Sequence, residues 1–371
     1  MAQIIIAGKR LAGQKFRSNV TRSSTPTDAR LVELTRWVTQ ELGLKATSIR
    51  PASADASFRR YFRVERPQGP LIVMDAPPAR ENLEPYVRSA AMLLDIGVHV
   101  PRVLEADRAR GFLLLTDLGS RLYLPELKAG REVDALYDDA LSALVRIQAR
   151  GSEHSKALPP YDRGRLEQEM QLLPEWFIAR HLGYAIDEEL RGMLRTTFEF
   201  LVIEALAQPP VFVHRDYHSR NLMLCADANP GILDFQDAVR GPVAYDLVSL
   251  LRDLYIVWPA PRVREWVLAY RRKAQAAGVD VGASETEFMR WFELAGVQRH
   301  LKVLGIFARL WHRDGKAMYL DDLPATLAYV LDASSRHPEL APLHRFLSER
   351  AHPNLAAANI RARQAQPAGH A

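Results

Sequence analysis

The sequence lacks most of the features that assign a function class at sight. Its 371 residues hold one cysteine, Cys225, which excludes an intrachain disulfide and any cysteine-rich zinc site and fits a reducing cytoplasm. No apolar run reaches the roughly 18–20 residues of a membrane helix, so no membrane partner is expected. Ile4–Ala7 is too short for the roughly 7–15-residue apolar core of a secretory signal. There is no G-x-G-x-x-G loop, no internal repeat, and no lysine between Lys45 and Lys128. Acid is missing from residues 1–27, where Lys9, Arg10, Lys15, Arg17 and Arg22 account for the entire net charge of +5. A nucleic-acid footprint needs its cations on the folded body, so nucleic acid is not an expected partner.

What remains is ordinary for a globular chain, 48% apolar and 25% charged, long enough for two domains or one bilobal unit. Residues 1–28 are basic and Ser/Thr-rich and are expected to form a disordered extension; residues 351–371 read as a loose tail. Gly8–Lys15 imitates a phosphate loop, but its lysine comes one residue late and no hydroxyl follows. Leu31, Leu34, Val38 and Leu42 recur at helical spacing and stop at Gly43. Strands are expected at Tyr61–Val64, Leu71–Met74 and Gly111–Thr116, with a helix from about Leu83 to Ile96 before the third. After Asp117 the period becomes helical, led by Val133, Leu136, Tyr137, Ala140, Leu141 and Leu144. A β-like interruption falls at Val211–Val213, Leu222–Leu224 and Ile232–Leu233. The expectation is an α+β fold: a β-rich N-lobe (29–117), a larger, mainly helical C-lobe (118–350), and a hinge near Thr116–Gly119.

The interruption carries the chemistry. His214, Arg215 and Asp216 follow an apolar strand, and Asn221 stands five residues past Asp216. Thirteen residues later another apolar strand ends in Asp234. Phosphoryl transfer from a nucleotide needs one oxygen to orient and deprotonate the attacking hydroxyl and two more to hold magnesium against the phosphates. Asp216 suits the first task, Asn221 and Asp234 the second. His214 and His218 have an i,i+4 spacing, but the glutamate and helix of a zincin are missing.

The pattern H-R-D-x-x-x-x-N followed by D-F-x is the signature of the protein-kinase-like fold. Its D-F-Q form with Tyr217–Arg220 inserted resembles the aminoglycoside phosphotransferase and choline kinase family, over about residues 53–338. Further stretches, Ala54–Arg63, Met74–Pro78, Phe112–Gly119, Asp234–Val239 and Tyr245–Leu247, look like the bacterial anomeric kinases of N-acetylmuramate and N-acetylglucosamine. The resemblance implies a bilobal protein-kinase-like fold with ATP and Mg2+ as cofactors. It also implies a small-molecule amino sugar as acceptor, made into its 1-phosphate during peptidoglycan recycling, and no obligate protein partner. Two rivals stand beside it: transfer to an aminoglycoside or other small alcohol, and a nucleotide-binding pseudokinase, suggested by the missing third-strand lysine.

By position, the resemblance places Ser57, Phe58 and Arg59 over the phosphates, with Arg59, Arg60 or Arg63 replacing the lysine. Glu81 or Glu84 would face that cation, and Thr116 and Leu118 would wall the adenine pocket. His218 and Arg220 would meet the transferring phosphoryl group. His214 is expected to be structural and Asp246 to brace the catalytic loop. For the acceptor, Asp237 and Glu169 would take sugar hydroxyls, and Arg309 or Arg313 would pair with the lactyl carboxylate of N-acetylmuramate.

Overall fold

Asp28 accepts from the Leu31 backbone N–H at 3.1 Å and so caps helix α1 (Ala29–Arg36). The computed structural model describes residues 28–54 and 58–365; the basic segment 1–27, Ser57 and the last six residues lie outside the described residues. Strands β1 (Ser48–Ala54), β2 (Arg60–Glu65) and β3 (Leu71–Asp75) follow, then helix α2 (Glu84–Ile96) and strands β4 (Val103–Asp107) and β5 (Phe112–Thr116). They form one antiparallel sheet in the order β1-β2-β3-β5-β4. Gly97, at φ 87°, ends α2 in the left-handed conformation.

Alternation along the strands divides two cores. Phe62, Val64, Val73, Phe112 and Leu114 meet Leu34, Trp37 and Val38 on one face of the sheet. Met74, Leu113 and Leu115 join Ala90 and Leu93 of α2 on the other. Phe112–Leu115 is apolar at every position because both faces of β5 are covered. The two strands not expected from sequence, β1 and β4, are the sheet edges. An edge strand needs little apolar alternation, and in β4 most positions face solvent.

Beyond the hinge the chain is mostly helical. Helices α3 (Val133–Arg150), α4 (Arg163–Met170) and α5 (Glu188–Leu206) lead into four short strands, β6 (Pro210–Val213), β7 (Leu222–Met223), β8 (Gly231–Ile232) and β9 (Val239–Pro242). Antiparallel pairing of β6 with β9 and of β7 with β8 brings the loops after β6 and β8 together. Helices α6 (Tyr245–Leu251) and α7 (Glu285–His312) follow. α7 is 28 residues long, about 42 Å, and buried over most of its surface. At Gly305 a Cβ would lie 2.4 Å from the Leu172 carbonyl carbon, so α7 crosses the start of the helical segment Leu173–His181 there at backbone distance.

The C-terminal end corrects one expectation. Residues 352–364 form a helix rather than a loose tail, because Leu355, Ala358 and Ala362 are buried and Asn359 hydrogen-bonds His181 at 2.8 Å. Among the described residues no helix is long and apolar enough to cross a membrane.

Candidate active site

The loop between β6 and β7 is held at both ends by buried carboxylates. Asp246, early in α6, accepts from the backbone N–H groups of His214 at 2.6 Å and Arg215 at 2.9 Å. Burial nonetheless pushes its pKa up to about 7. Asp253, just past α6, accepts from the Ser219 N–H at 3.0 Å and from its hydroxyl. The His214 Nε2–H donates to the Leu233 carbonyl at 3.0 Å and so ties this loop to the one after β8. Burial lowers its pKa to about 4, which keeps the imidazole neutral and structural. Arg215 and Asp234 have φ of 80° and 64°, a left-handed backbone that non-glycine residues rarely adopt and that clusters at functional loops.

Asp216, Asn221 and Asp234 converge on one cleft of about 660 Å³. The Asn221 amide donates to the Asp216 carbonyl at 2.9 Å and lies 3.5 Å from Asp234 Oδ2. Gln236 donates to Asp234 Oδ1 at 2.7 Å, and the Arg59 guanidinium stands 3.4 Å from the same oxygen. Tyr61, Tyr86, Leu115, Thr116 and Leu118 line the N-lobe and hinge side of the cleft; His218, Arg220, Tyr255 and Tyr319 line the other.

Beneath Asp216 lies a charged layer that sequence reasoning missed. Arg299 and Lys302 of α7 are buried. Arg299 donates to the Arg215 carbonyl at 3.0 Å, and its guanidinium lies 3.8 Å from Asp216 Oδ1. Lys302 Nζ lies 3.1 Å from Glu169, which also binds Arg215 and Tyr161. Burial alone would raise the Asp216 pKa, but Arg299, Lys302, His218 and Arg215 hold the carboxyl at about 2. The available signal was two cations three residues apart on a helix whose neighbouring positions, Leu301, Val303 and Leu304, are all apolar.

Several expectations are redirected. Glu169 faces inward with both oxygens occupied, so it braces the catalytic layer instead of meeting the acceptor. Arg60 pairs with Asp75 and Asp28, and Arg63 with Asp117 at 2.6 and 3.0 Å and with the Gly119 carbonyl at 2.6 Å. Of the three arginines, Arg59 is the one beside Asp234. Glu84 is exposed and pairs with Arg108, and Glu81 does not line the cleft; α2 turns Tyr86 inward, 4.8 Å from the Phe235 ring. Phe58 is exposed, with Arg80 over its ring at 4.5 Å. The Thr116 N–H and hydroxyl are engaged by the Arg102 backbone. Asp237 is exposed on the loop past Asp234. Arg309 and Arg313 stay outside the cleft lining, because α7 carries them about 15 Å or more along its axis from Arg299. Arg313 pairs with Asp314 at 2.7 Å. Arg220 lies over the Tyr255 ring at 3.4 Å, and the His218 ring meets the same tyrosine edge-on at 5.6 Å.

A sequence profile described as the phosphotransferase enzyme family matches residues 48–292. The chain belongs to that family. It is 49% identical over 298 residues to the N-acetylmuramate/N-acetylglucosamine kinase of Pseudomonas aeruginosa, which covers 80% of this chain and 87% of that one. A protein of the same name from Pseudomonas putida is 44% identical over 332 residues, 87% of this chain and 97% of the other. Among solved structures, the GDP complex of aminoglycoside 2'-phosphotransferase-IIIa has a TM-score of 0.57 at 17% identity, covering 83% of this chain and 99% of that one. The phosphotransferase thus has a bilobal, protein-kinase-like fold.

The donor set of this phosphotransferase suits a hard cation. Among the described residues no group of three or more His, Cys, Asp or Glu could hold a metal ion unaided. Asp234 and Asn221 offer one carboxylate and one amide oxygen at the cleft. That fits Mg2+, which takes one or two protein oxygens and completes its shell with water and substrate phosphates.

Proposed function

We propose that the chain transfers the γ-phosphoryl group of ATP to the anomeric hydroxyl of N-acetylmuramate or N-acetylglucosamine, a cytoplasmic salvage step for cell-wall sugars. The reading is carried by the convergence of Asp216, Asn221 and Asp234 on one cleft, in a chain 49% identical to a kinase named for both sugars. Asp216 accepts the hydrogen bond of the attacking hydroxyl and fixes its line of approach. Held at about 2, Asp216 is ionised at every working pH and is a weak base. A hemiacetal hydroxyl is more acidic than an ordinary alcohol, so orientation supplies more of the rate than proton abstraction. Asn221 and Asp234 would hold Mg2+, whose charge would offset that of the phosphates. Arg59, 3.4 Å from Asp234 just before β2, supports a substitution for the missing lysine and weighs against the pseudokinase reading.

The test is ADP release with ATP and Mg2+ on both sugars, their 1-O-methyl glycosides and kanamycin. Turnover on the two free sugars is expected, with none on the glycosides, and Asp216→Ala, which removes the orienting oxygen, should lower kcat by roughly 100-fold or more. Turnover on the glycosides, or on kanamycin alone, would overturn the anomeric assignment.

A further inference from the structure

The two sugars in the relatives' shared name differ by one lactyl ether, which gives N-acetylmuramate a carboxylate that N-acetylglucosamine lacks. An acceptor site serving both needs a cation at its edge, in contact with one sugar and idle with the other. The cations near the cleft are mostly committed. Arg63 is held by Asp117 and the Gly119 carbonyl, Arg299 and Lys302 are buried beneath Asp216, and Arg59 stands at Asp234 on the phosphate side.

Arg220 differs from all of these. It is half-buried in the cleft wall, four residues past Asp216, and forms no ion pair within 4 Å among the described residues. Asp322 interacts with it electrostatically from beyond that range. The guanidinium lies over the Tyr255 ring at 3.4 Å, which uses its face and leaves its N–H edge for a planar anion. Tyr255 is itself fixed, its backbone N–H donating to Asp253 at 3.1 Å, the same carboxylate that holds Ser219. The stacked arginine is therefore preorganised, with little ordering cost left when an anion binds.

Resting on the amino-sugar reading above, we propose that Arg220 binds the lactyl carboxylate of N-acetylmuramate through paired N–H bonds and sets the preference between the two sugars. This moves the role expected of Arg309 or Arg313 about ninety positions back along the chain, to the loop between β6 and β7, and moves Arg220 from the phosphoryl group to the acceptor.

The experiment compares kcat/KM for both sugars in the wild type, Arg220→Gln and Arg220→Lys. Arg220→Gln should shift the N-acetylmuramate to N-acetylglucosamine ratio by roughly 10- to 100-fold, chiefly through the N-acetylmuramate KM. Arg220→Lys keeps the charge without the fork and should recover part of that shift. Each sugar serves as the folding control for the other. Equal losses on both would assign Arg220 to the phosphoryl group and overturn the proposal, as would an unchanged ratio. A wild-type chain inactive on both sugars would overturn the amino-sugar reading itself, an outcome distinct from either.

Discussion

Asp216, whose side chain is still 40% exposed to the cleft, stays ionised because cations lie beneath it, and Arg299 is the first of the groups that hold its pKa down. Arg299→Met should therefore raise that pKa and bring into the pH profile of kcat an acid limb that the wild type is expected to lack above pH 4. Arg299→Lys should keep the profile flat. A methionine variant with lower kcat and an unchanged profile would show that Arg299 acts by packing alone. These residues also mark how far the sequence could be read. Asp216, Asn221 and Asp234 were legible because loops between short strands fix their spacing. Arg299 and Lys302 were not, since they lie some eighty residues downstream and reach the site only when α7 packs under the catalytic loop. Glu169 reads as an acceptor contact because its helical stretch lies over the acceptor side; its partners, Arg215, Lys302 and Tyr161, come from parts of the chain that sequence spacing does not bring together.

α7 does for the C-lobe what β5 does for the N-lobe, since the middle of the helix, which carries Arg299 and Lys302, is buried and β5 is covered on both faces. The helix crossing at Gly305 sets its depth. Gly305→Val would push a side chain into the Leu172 backbone and should cost at least about 1–3 kcal/mol, read from the urea midpoint. It should also lower kcat, because Lys302 sits one turn away. A stable, fully active valine variant would mean that the crossing adjusts more easily than a rigid core allows. The elements themselves were legible where their period was strong: α2, α3, β2, β3 and β5 all fall where apolar spacing puts them. Edge strands and the last helix were not. β1 and β4 lack apolar alternation because most of their described side chains face solvent, and residues 352–364 bury mostly alanine, which does not stand out as a core stripe.

Over the whole molecule, buried imidazoles make stability depend on pH. Burial lowers His181 and His214 to about 4 and His300 to about 3. Their unfolded forms titrate near 6.5, so between about pH 6.5 and 4 the unfolded chain binds protons that the folded chain refuses, and stability falls with pH. Asp246 opposes this, because its folded carboxyl, raised to about 7, takes up a proton that the unfolded one at about 4 does not. Each group is worth roughly 2 kcal/mol by pH 5, and three histidines outweigh one aspartate. The thermal midpoint should be lower at pH 5 than at pH 7.5; a flat midpoint would mean that the imidazoles are charged or hydrated in the fold. The joint between the lobes has a use of another kind. Cys225, the single thiol of the chain, rests 3.5 Å from the Leu118 carbonyl at the hinge, half-buried and with its pKa raised by desolvation. A small alkylating reagent will therefore attach once and slowly. A fluorophore placed there would sit at the joint itself, with no background from a second site and no engineered cysteine.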